Sequence, residues 1–183
     1  MGAVPVQHAV LVTGWTGAGK STIANEIATR LGCTVASFDW LMSGLRAFPD
    51  LWSVVELPAE MQRTVGWTLQ RRVAEQELRR GASVVFDLVA REQPREDWLS
   101  LAESYGAAFT VVECICSDRQ LHRERVDGRS RSIPDWYELS WDRVSRGRDA
   151  YVPLAEPKLI VDAVDPLDRN VDAVMAYIAE RGR

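Results

Sequence analysis

Residues 14–22 read Gly14-Trp15-Thr16-Gly17-Ala18-Gly19-Lys20-Ser21-Thr22, which fits the phosphate-binding pattern G-x-x-x-x-G-K-S/T. The apolar run Ala9–Thr13 precedes this stretch and predicts a buried strand. A helical pattern follows it, with an apolar face formed by Ile23, Ala24, Ile27, Ala28 and Leu31. In such a strand–loop–helix context the glycines allow a tight turn whose backbone N–H groups point at a polyphosphate. The sequence therefore predicts a Walker A phosphate loop.

Two side chains of this loop have chemistry of their own. Lys20 is expected to reach the β- and γ-phosphates of a nucleotide, and the Ser21 hydroxyl to ligate the Mg²⁺ that accompanies it. The chain has 20 arginines but only two lysines, Lys20 and Lys158. Although the chain uses arginine for nearly all its positive charges, it has a lysine at position 20 of the phosphate loop. At this position a compact ammonium group suits a phosphate better than a fork-shaped guanidinium group does. This strengthens the prediction of nucleotide binding.

Length and composition are those of an ordinary globular protein of 183 residues, and we expect one domain covering residues 1–183. The net charge of −4 and the pI of about 5.3 argue against a general affinity for nucleic acid. The sequence has no apolar run of membrane-spanning length, and we expect no signal peptide. Cys33, Cys114 and Cys116 are too few and wrongly spaced for a disulfide framework or a zinc site. We expect a cytoplasmic protein without a membrane partner, in an oligomeric state that the sequence leaves open.

Five strand candidates alternate with helical patterns, as a parallel sheet covered by helices on both faces requires. The predicted strands are Ala9–Thr13, Thr34–Phe38, Ser83–Phe86, Phe109–Cys116 and Leu159–Val161. Prolines mark helix starts at Pro58, Pro94 and Pro166. The helix after Pro58 is expected to bury a stripe made of Met61, Val65, Leu69 and Val73. The fold class is thus α/β, with ligands expected outside the carboxyl ends of the strands.

Two aspartates follow predicted strands. Asp39 comes after the second strand, where a carboxylate can orient an acceptor hydroxyl and accept its proton. A helix N-cap is an equally good interpretation of Asp39. Asp87 ends the third strand in Val84-Val-Phe-Asp87, which is the Walker B arrangement for holding Mg²⁺. We therefore predict a metal site formed by Ser21 and Asp87.

Eight of the 20 arginines lie between residues 119 and 148, beyond the fourth strand. They are Arg119, Arg123, Arg125, Arg129, Arg131, Arg143, Arg146 and Arg148. One interpretation is a solvated helix face. The other is a mobile lid, residues 119–148, which delivers one or two arginines to the transferring phosphoryl group and excludes water.

Other side chains near the predicted strand ends are candidates for acceptor binding. Trp15 lies inside the phosphate loop and Trp40 follows Asp39, so both can border an acceptor pocket. Arg46, Arg91 and Arg95 could bind an anionic acceptor. We expect Trp136, Tyr137 and Trp141 to serve packing. His8 and His122 are expected at the surface and receive no role.

With these residues in place, the chain resembles the small P-loop kinases related to zeta toxins, polynucleotide 5′-kinases and chloramphenicol phosphotransferase. The resemblance implies a P-loop three-layer sandwich with sheet order 2-3-1-4-5. It implies that Asp39 is the catalytic carboxylate, that Arg125 and Arg129 are lid arginines, and that Arg119 packs near the adenine opposite the loop Ala163–Asp165. The segment Ser132–Trp136 resembles the start of the helix after the lid. The residues expected to bind the nucleotide are Gly14, Trp15, Thr16, Gly17, Ala18, Gly19, Lys20, Ser21, Thr22 and Arg119.

The chain departs from the polynucleotide kinases after Asp39. Those enzymes usually carry an arginine a few residues after this aspartate, whereas here the segment Trp40–Leu45 has no basic residue before Arg46. This segment looks more like that of chloramphenicol phosphotransferase and suits an uncharged or amphipathic small acceptor. The loop is also similar to those of adenylylsulfate and gluconate kinases, but their acceptor motifs are absent. Acceptor recognition is expected to come from residues 39–58 and the lid.

The leading hypothesis is an ATP- and Mg²⁺-dependent phosphotransferase that acts on a hydroxyl of a small molecule, such as an antibiotic or another metabolite. In this hypothesis the catalytic residues are Lys20, Asp39, Arg125 and Arg129, and the acceptor contacts are Asp39, Trp40, Arg46 and Arg91. A second hypothesis is a nucleotide or polynucleotide 5′-hydroxyl kinase. A third is a non-catalytic nucleotide-dependent switch or partner protein. The sequence does not distinguish ATP from GTP as the donor.

Overall fold

The computed structural model describes residues 6–48, 58–155 and 157–182. Strands and helices alternate along the chain, as predicted. The strands are β1 His8–Thr13, β2 Thr34–Ser37, β3 Val84–Asp87, β4 Ala108–Ile115 and β5 Leu159–Asp162. The helices are α1 Lys20–Leu31, α2 Phe38–Arg46, α3 Ala59–Arg79, α4 Glu92–Ser104, α5 Arg119–Asp127, α6 Trp141–Arg148 and α7 Leu167–Arg181.

The five strands form one parallel sheet in the order β2-β3-β1-β4-β5, which confirms the predicted order. Strand β1 lies at the centre, between β3 and β4. Its register places Val12 opposite Asp87 and Thr13 opposite Glu113, while Ser37 at the end of β2 lies opposite Asp87. The carboxyl ends of the three strands β2, β3 and β1 therefore meet at the edge from which the phosphate loop begins.

The hydrophobic core lies on both faces of the sheet, because successive residues of a strand point to opposite faces. Ala9 and Leu11 of β1 pack on the face covered by α3 and α4, next to Phe86 and Trp98. Val10 and Val12 pack on the face covered by α1 and α7. This two-sided burial fixes the central strand, and with it the position from which the phosphate loop starts.

Helix α3 buries a different stripe from the predicted one. Its buried residues are Gly66, Gln70, Ala74, Glu77 and Leu78, whereas Met61 is exposed and Val65, Leu69 and Val73 are only half-buried. The prediction was wrong because it counted apolar residues alone. Gly66 leaves space for the Phe38 ring, and a side chain there would overlap it. A glycine and a glutamine thus occupy positions that an apolar pattern assigns to larger hydrophobic residues.

Strands β1, β3, β4 and β5 differ from the predictions by one residue at one or both ends, and larger differences lie elsewhere. Strand β2 ends at Ser37, and Phe38 already begins α2. Helix α4 begins two residues before Pro94, which a first helical turn tolerates because its N–H groups have no intrahelical partner. Residues 132–136 form a turn rather than a helix start, because Ser132 and Asp135 have positive φ angles of 51° and 55°. Helix α6 begins only at Trp141.

Residues 49–57, which belong to the segment expected to recognise the acceptor, lie outside the described residues. Across the part of the chain that the structure describes, no helix is both long and apolar enough to span a membrane.

Candidate functional site

The phosphate loop, residues 14–22, has the backbone conformation that its glycines predict. Gly14 and Gly17 have φ angles of 128° and 87°, in the region that favours glycine. A Cβ on Gly14 would overlap the carbonyl oxygen of Cys114 in β4, so a larger residue is also excluded by space. The loop leads directly into α1, which starts at Lys20. The unpaired N–H groups of this helix start make the loop suitable for binding an anion.

Lys20 lies within the loop, and its Nζ donates a hydrogen bond of 3.1 Å to the carbonyl oxygen of Trp15. Burial lowers the pKa of Lys20, while the negative charges of Asp87 and Asp39 act in the opposite direction. Both predicted carboxylates therefore act electrostatically on the ammonium group, although Asp87 ends β3 and Asp39 lies in α2.

Asp87 ends β3 and is buried, with 6% of its surface exposed. Burial raises the pKa of its carboxyl, and the charge of Lys20 together with hydrogen bonds from Ser21 and Ser37 partly offsets this effect. The Ser37 hydroxyl donates to Oδ2 over 3.5 Å. One carboxylate and two hydroxyls form an oxygen donor set, which is the kind that Mg²⁺ takes when phosphate oxygens complete its coordination. Ser21 and Asp87 are thus joined by a hydrogen bond, and the metal site assigned to them stays a prediction.

Asp39 lies in the first turn of α2 and is half-buried. The N-cap interpretation of Asp39 is wrong, because the N-cap position is taken by Ser37. The Asp39 carboxylate forms an ion pair with Arg131 instead. Sequence reasoning named Arg131 only as one of eight clustered arginines. Arg131 reaches Asp39 because of the path that residues 128–140 take, and sequence patterns do not predict this path.

Gln70 holds the strand ends together from the side of α3. It is fully buried, and its Nε2 donates to the carbonyl oxygens of Ala36 at 2.8 Å and Asp87 at 3.3 Å. These two carbonyls belong to the ends of β2 and β3, just before Asp39 and at Asp87. Sequence reasoning missed Gln70, and the available signal was a polar residue inside a helix that covers a sheet.

The connecting segment, residues 128–140, lies against α2. Arg131 bridges Asp39 and Glu138, and Arg129 also pairs with Glu138, at 3.0 Å. Arg46 of α2 lies over the rings of Trp136 and Tyr137, at 5.0 and 4.7 Å from their centroids. The two rings stack on each other, in agreement with their predicted packing role. Arg46, predicted to contact the acceptor, is therefore engaged with aromatic rings of this segment.

The remaining predicted residues lie at the periphery of the site. Arg119 begins α5 and is exposed, and Arg125 is exposed on the same helix. Arg91 precedes α4 and forms an ion pair of 3.6 Å with Glu60. Trp40 has 54% of its surface exposed. None of these four contacts Lys20 or Asp87 in the hydrogen bonds and ion pairs of the described residues.

His122 was predicted at the surface, and this prediction was wrong. Only 2% of its surface is exposed, and its Nε2 lies 2.7 Å from the carbonyl oxygen of Thr16 in the phosphate loop. A histidine within an arginine-rich helix gives no sequence signal for such a contact. His8 is half-buried at the start of β1, at the opposite end of the sheet.

A family model described as an AAA domain matches residues 10–154. The chain belongs to this AAA-domain family. The match runs from β1 to beyond α6, so it contains the phosphate loop, Asp39, Asp87 and the connecting segment of this AAA domain. A comparison with curated protein sequences found no significant match. The narrower resemblance to zeta toxins and chloramphenicol phosphotransferase stays a prediction.

Solved structures of several kinases share the fold of this AAA domain. A candidate kinase from Chloroflexus aurantiacus J-10-fl is 20% identical, with a TM-score of 0.68 over 96% of this chain and 98% of that one. A gluconokinase from Sinorhizobium meliloti 1021 is 18% identical, with a TM-score of 0.65 over 97% and 93%. The APS kinase CysC of Mycobacterium tuberculosis, solved with AMPPNP and APS, is 18% identical, with a TM-score of 0.64 over 96% and 99%. At these identities the likeness concerns the fold.

Proposed function

We propose that the protein is a kinase that transfers the γ-phosphoryl group of ATP to a hydroxyl of a small molecule. The observation that carries this proposal is the electrostatic interaction of Lys20 in the phosphate loop with two carboxylates, Asp87 at the end of β3 and Asp39 just after β2. A site that only binds a nucleotide needs the loop and its lysine. A second carboxylate beside them, on the first turn of the next helix, supplies the group that phosphoryl transfer to a hydroxyl needs.

In this proposal residues Gly14–Thr22 hold the phosphates through their backbone N–H groups, and Lys20 adds a positive charge at the β- and γ-phosphates. Mg²⁺ supplies charge neutralisation of the phosphates when bound, and Ser21 and Asp87 would hold it. The pKa of Asp87 is raised by burial and that of Lys20 is lowered by burial, so both groups are poorly solvated. Electrostatic interactions with a bound nucleotide are correspondingly strong in such surroundings.

Asp39 would orient the acceptor hydroxyl and take its proton as the bond to phosphorus forms. Arg131 pairs with Asp39 in the structure, and in this proposal it moves to the transferred group when the acceptor binds. Arg129 is held by Glu138 beside it and adds to the positive charge near Asp39. We retain Arg125 and Arg129 as lid arginines and Arg119 as a contact of the adenine, in the proposed lid of residues 119–148.

The acceptor would lie against the exposed face of Trp40, next to Asp39. Two arginines proposed for an anionic acceptor have other partners: Arg46 lies over Trp136 and Tyr137, and Arg91 pairs with Glu60. This arrangement favours an uncharged or amphipathic acceptor with an apolar surface. The gluconokinase and the APS kinase that share the fold support a small-molecule acceptor over a polynucleotide.

A screen of acceptors tests this proposal. ADP release from ATP and Mg²⁺ is measured with hydroxylated metabolites, hydroxylated antibiotics and 5′-hydroxyl oligonucleotides, each with and without the protein. We expect stimulation by a small apolar or amphipathic alcohol. Stimulation by oligonucleotides alone would favour the 5′-hydroxyl kinase, and ATP binding without stimulation by any compound would favour a nucleotide-dependent switch.

A further inference from the structure

His122 makes a contact with the phosphate loop that the proposed chemistry does not use. It lies on α5, the helix that also carries Arg119 and Arg125, and its Nε2 is 2.7 Å from the carbonyl oxygen of Thr16. Because a carbonyl oxygen can only accept a hydrogen bond, Nε2 must carry the proton and donate it. The other ring nitrogen, Nδ1, is buried and has no hydrogen-bond partner among the described residues. The histidine is therefore held as the neutral Nε2–H tautomer.

His122 and Val126 of α5 pack against the phosphate loop at Gly17. A Cβ on Gly17 would come within 2.5 Å of Val126 Cγ2 and 2.8 Å of His122 Nε2, so α5 packs directly against the loop backbone. The rings of His122 and Trp141 of α6 are nearly perpendicular, at an interplanar angle of 79°, with centroids 5.2 Å apart. The imidazole is thus fixed between the phosphate loop and α6, and it cannot turn away without opening a cavity.

A second contact of the same kind is made by the neighbouring loop residue. The indole Nε1 of Trp15 donates to the carbonyl oxygen of Val144 in α6 at 2.8 Å. The Trp15 ring occupies the space beside Gly147, where any side chain would overlap it. The Tyr151 ring also packs against it, with centroids 5.7 Å apart. Residues 15–17 are therefore held by α5 and α6, in addition to the strand and helix that flank the loop.

We propose that His122 is a positioning residue of the phosphate loop, which holds Thr16 and Gly17 in the nucleotide-binding conformation by donating a hydrogen bond to the Thr16 carbonyl. The contact also fixes the loop to α5, the helix that carries the proposed lid arginine Arg125. This inference rests on the proposed function only in that the loop binds ATP.

The charges that face His122 favour its neutral form. Burial lowers the pKa of His122, and the positive charges of Arg148 from α6, Lys20 from the loop and Arg125 from α5 act in the same direction, against the hydrogen bond to Thr16. A protonated ring would also place a buried Nδ1–H beside these cations without an acceptor. The hydrogen bond to Thr16 is consequently present at neutral pH without a titration of the ring.

Two substitutions separate positioning from packing. His122→Gln keeps an N–H donor at nearly the same reach, whereas His122→Leu fills the space without a donor. ATP affinity in the presence of Mg²⁺ is measured by calorimetry at pH 7.5, and the unfolding temperature of each variant is measured in parallel. We expect His122→Leu to weaken ATP binding by about tenfold, since it leaves the partly buried Thr16 carbonyl without this donor, and His122→Gln to stay within about threefold of the parent. His8→Gln is the matched control and should bind ATP as the parent does.

Equal ATP affinity of the folded His122→Leu variant and the parent would overturn the proposal. So would an equal loss in both His122 variants, because a merely structural histidine would not distinguish a donor from an apolar group. If His122→Leu does not fold, nuclear magnetic resonance of the parent decides, since the chain has only two histidines. We expect an Nε2–H tautomer for His122 at pH 7 without nucleotide, and an Nδ1–H tautomer or a charged ring would contradict the proposal. A parent that does not bind ATP would contradict the proposed function, while the resonance experiment would still test the contact.

Discussion

Burial in the site removes Asp87 and Lys20 from water and thereby destabilises the charged form of each side chain. Burial raises the pKa of Asp87 and lowers that of Lys20, so each charge is less stable in the folded protein than in water. Their mutual attraction offsets part of this cost. A buried charge pair next to a helix start is typical of functional sites, where stability is reduced in favour of binding.

Asp87→Asn is therefore expected to raise the unfolding temperature near neutral pH and to reduce nucleotide turnover. The folded-state pKa of Asp87 lies above its ordinary value of 3.8, so the folded state binds this proton more tightly than the unfolded state does. The stability that protonated Asp87 contributes to the folded protein is fully present below the pKa that Asp87 has in the unfolded chain. This contribution is lost as the pH rises through the pKa that Asp87 has in the folded protein. The advantage of the Asn variant should thus be greatest near pH 7 and should shrink as the pH falls.

Thermal unfolding of the two proteins without nucleotide, from pH 4 to pH 8, checks this expectation. The exposed Asp97 provides the control, and Asp97→Asn should leave the unfolding temperature nearly unchanged at every pH. An advantage of Asp87→Asn that did not vary with pH would show that burial of the charge is not its cause.

At the level of elements, the strand ends are fixed by buried polar contacts as well as by the sheet. Gln70 of α3 connects the carbonyl of Ala36, the last residue but one of β2, with that of Asp87 at the end of β3. On the other side of the sheet centre, Glu113 of β4 pairs with Lys158 at 2.6 Å, and both side chains are almost fully buried. Glu113 lies opposite Thr13, the residue before the phosphate loop.

Replacing Gln70 with Leu should lower the free energy of unfolding by about 1–3 kcal/mol, because it leaves two buried carbonyls without this donor. Denaturant unfolding measures the effect. Gln76→Leu, on the exposed side of the same helix, should change the stability by less than about 0.5 kcal/mol. Similar losses for the two variants would contradict the role given to Gln70.

Lys158→Met should lower the free energy of unfolding by about 3–5 kcal/mol, because it leaves the Glu113 carboxylate buried without its cation. The double variant Lys158→Met with Glu113→Leu should recover most of this loss, since no buried charge remains. Arg30→Met breaks the exposed ion pair with Asp172 and should cost less than about 1 kcal/mol in the same denaturant titration. A double variant as unstable as Lys158→Met alone would show that the loss comes from packing.

Across the whole molecule, the fold could be predicted because its signals are local. Apolar runs of strand length, prolines at helix starts and a glycine-rich loop each specify their own element, and the alternation of elements specifies a parallel sheet. The positions of Asp39 and Asp87 followed from the same reasoning, because carboxyl ends of parallel strands share one edge of the sheet.

What could not be predicted depends on contacts between distant segments. Residues 128–140 return to α2, where Arg131 meets Asp39 and the Trp136 and Tyr137 rings meet Arg46. The backbone of this segment has positive φ angles at Ser132 and Asp135, and the presence of a serine or an aspartate does not by itself predict such an angle. Any of the eight clustered arginines could pair with the Asp39 carboxylate on chemical grounds. Only the path of the backbone determines that Arg131 does so. The contact of His122 with the loop is hidden for the same reason.

The central claim is that Asp39 makes this nucleotide site a kinase, and transfer of the ³²P label from γ-labelled ATP tests it most directly. The acceptor found by the screen is incubated with the parent, with Asp39→Asn and with Lys20→Ala, and ATP affinity is measured for each. We predict a labelled acceptor with the parent, and with Asp39→Asn an unchanged ATP affinity and a transfer rate lower by about 10²–10⁴-fold. Lys20→Ala should lose nucleotide affinity as well. Transfer by Asp39→Asn at the parental rate, or release of label only as inorganic phosphate with every acceptor, would contradict the account.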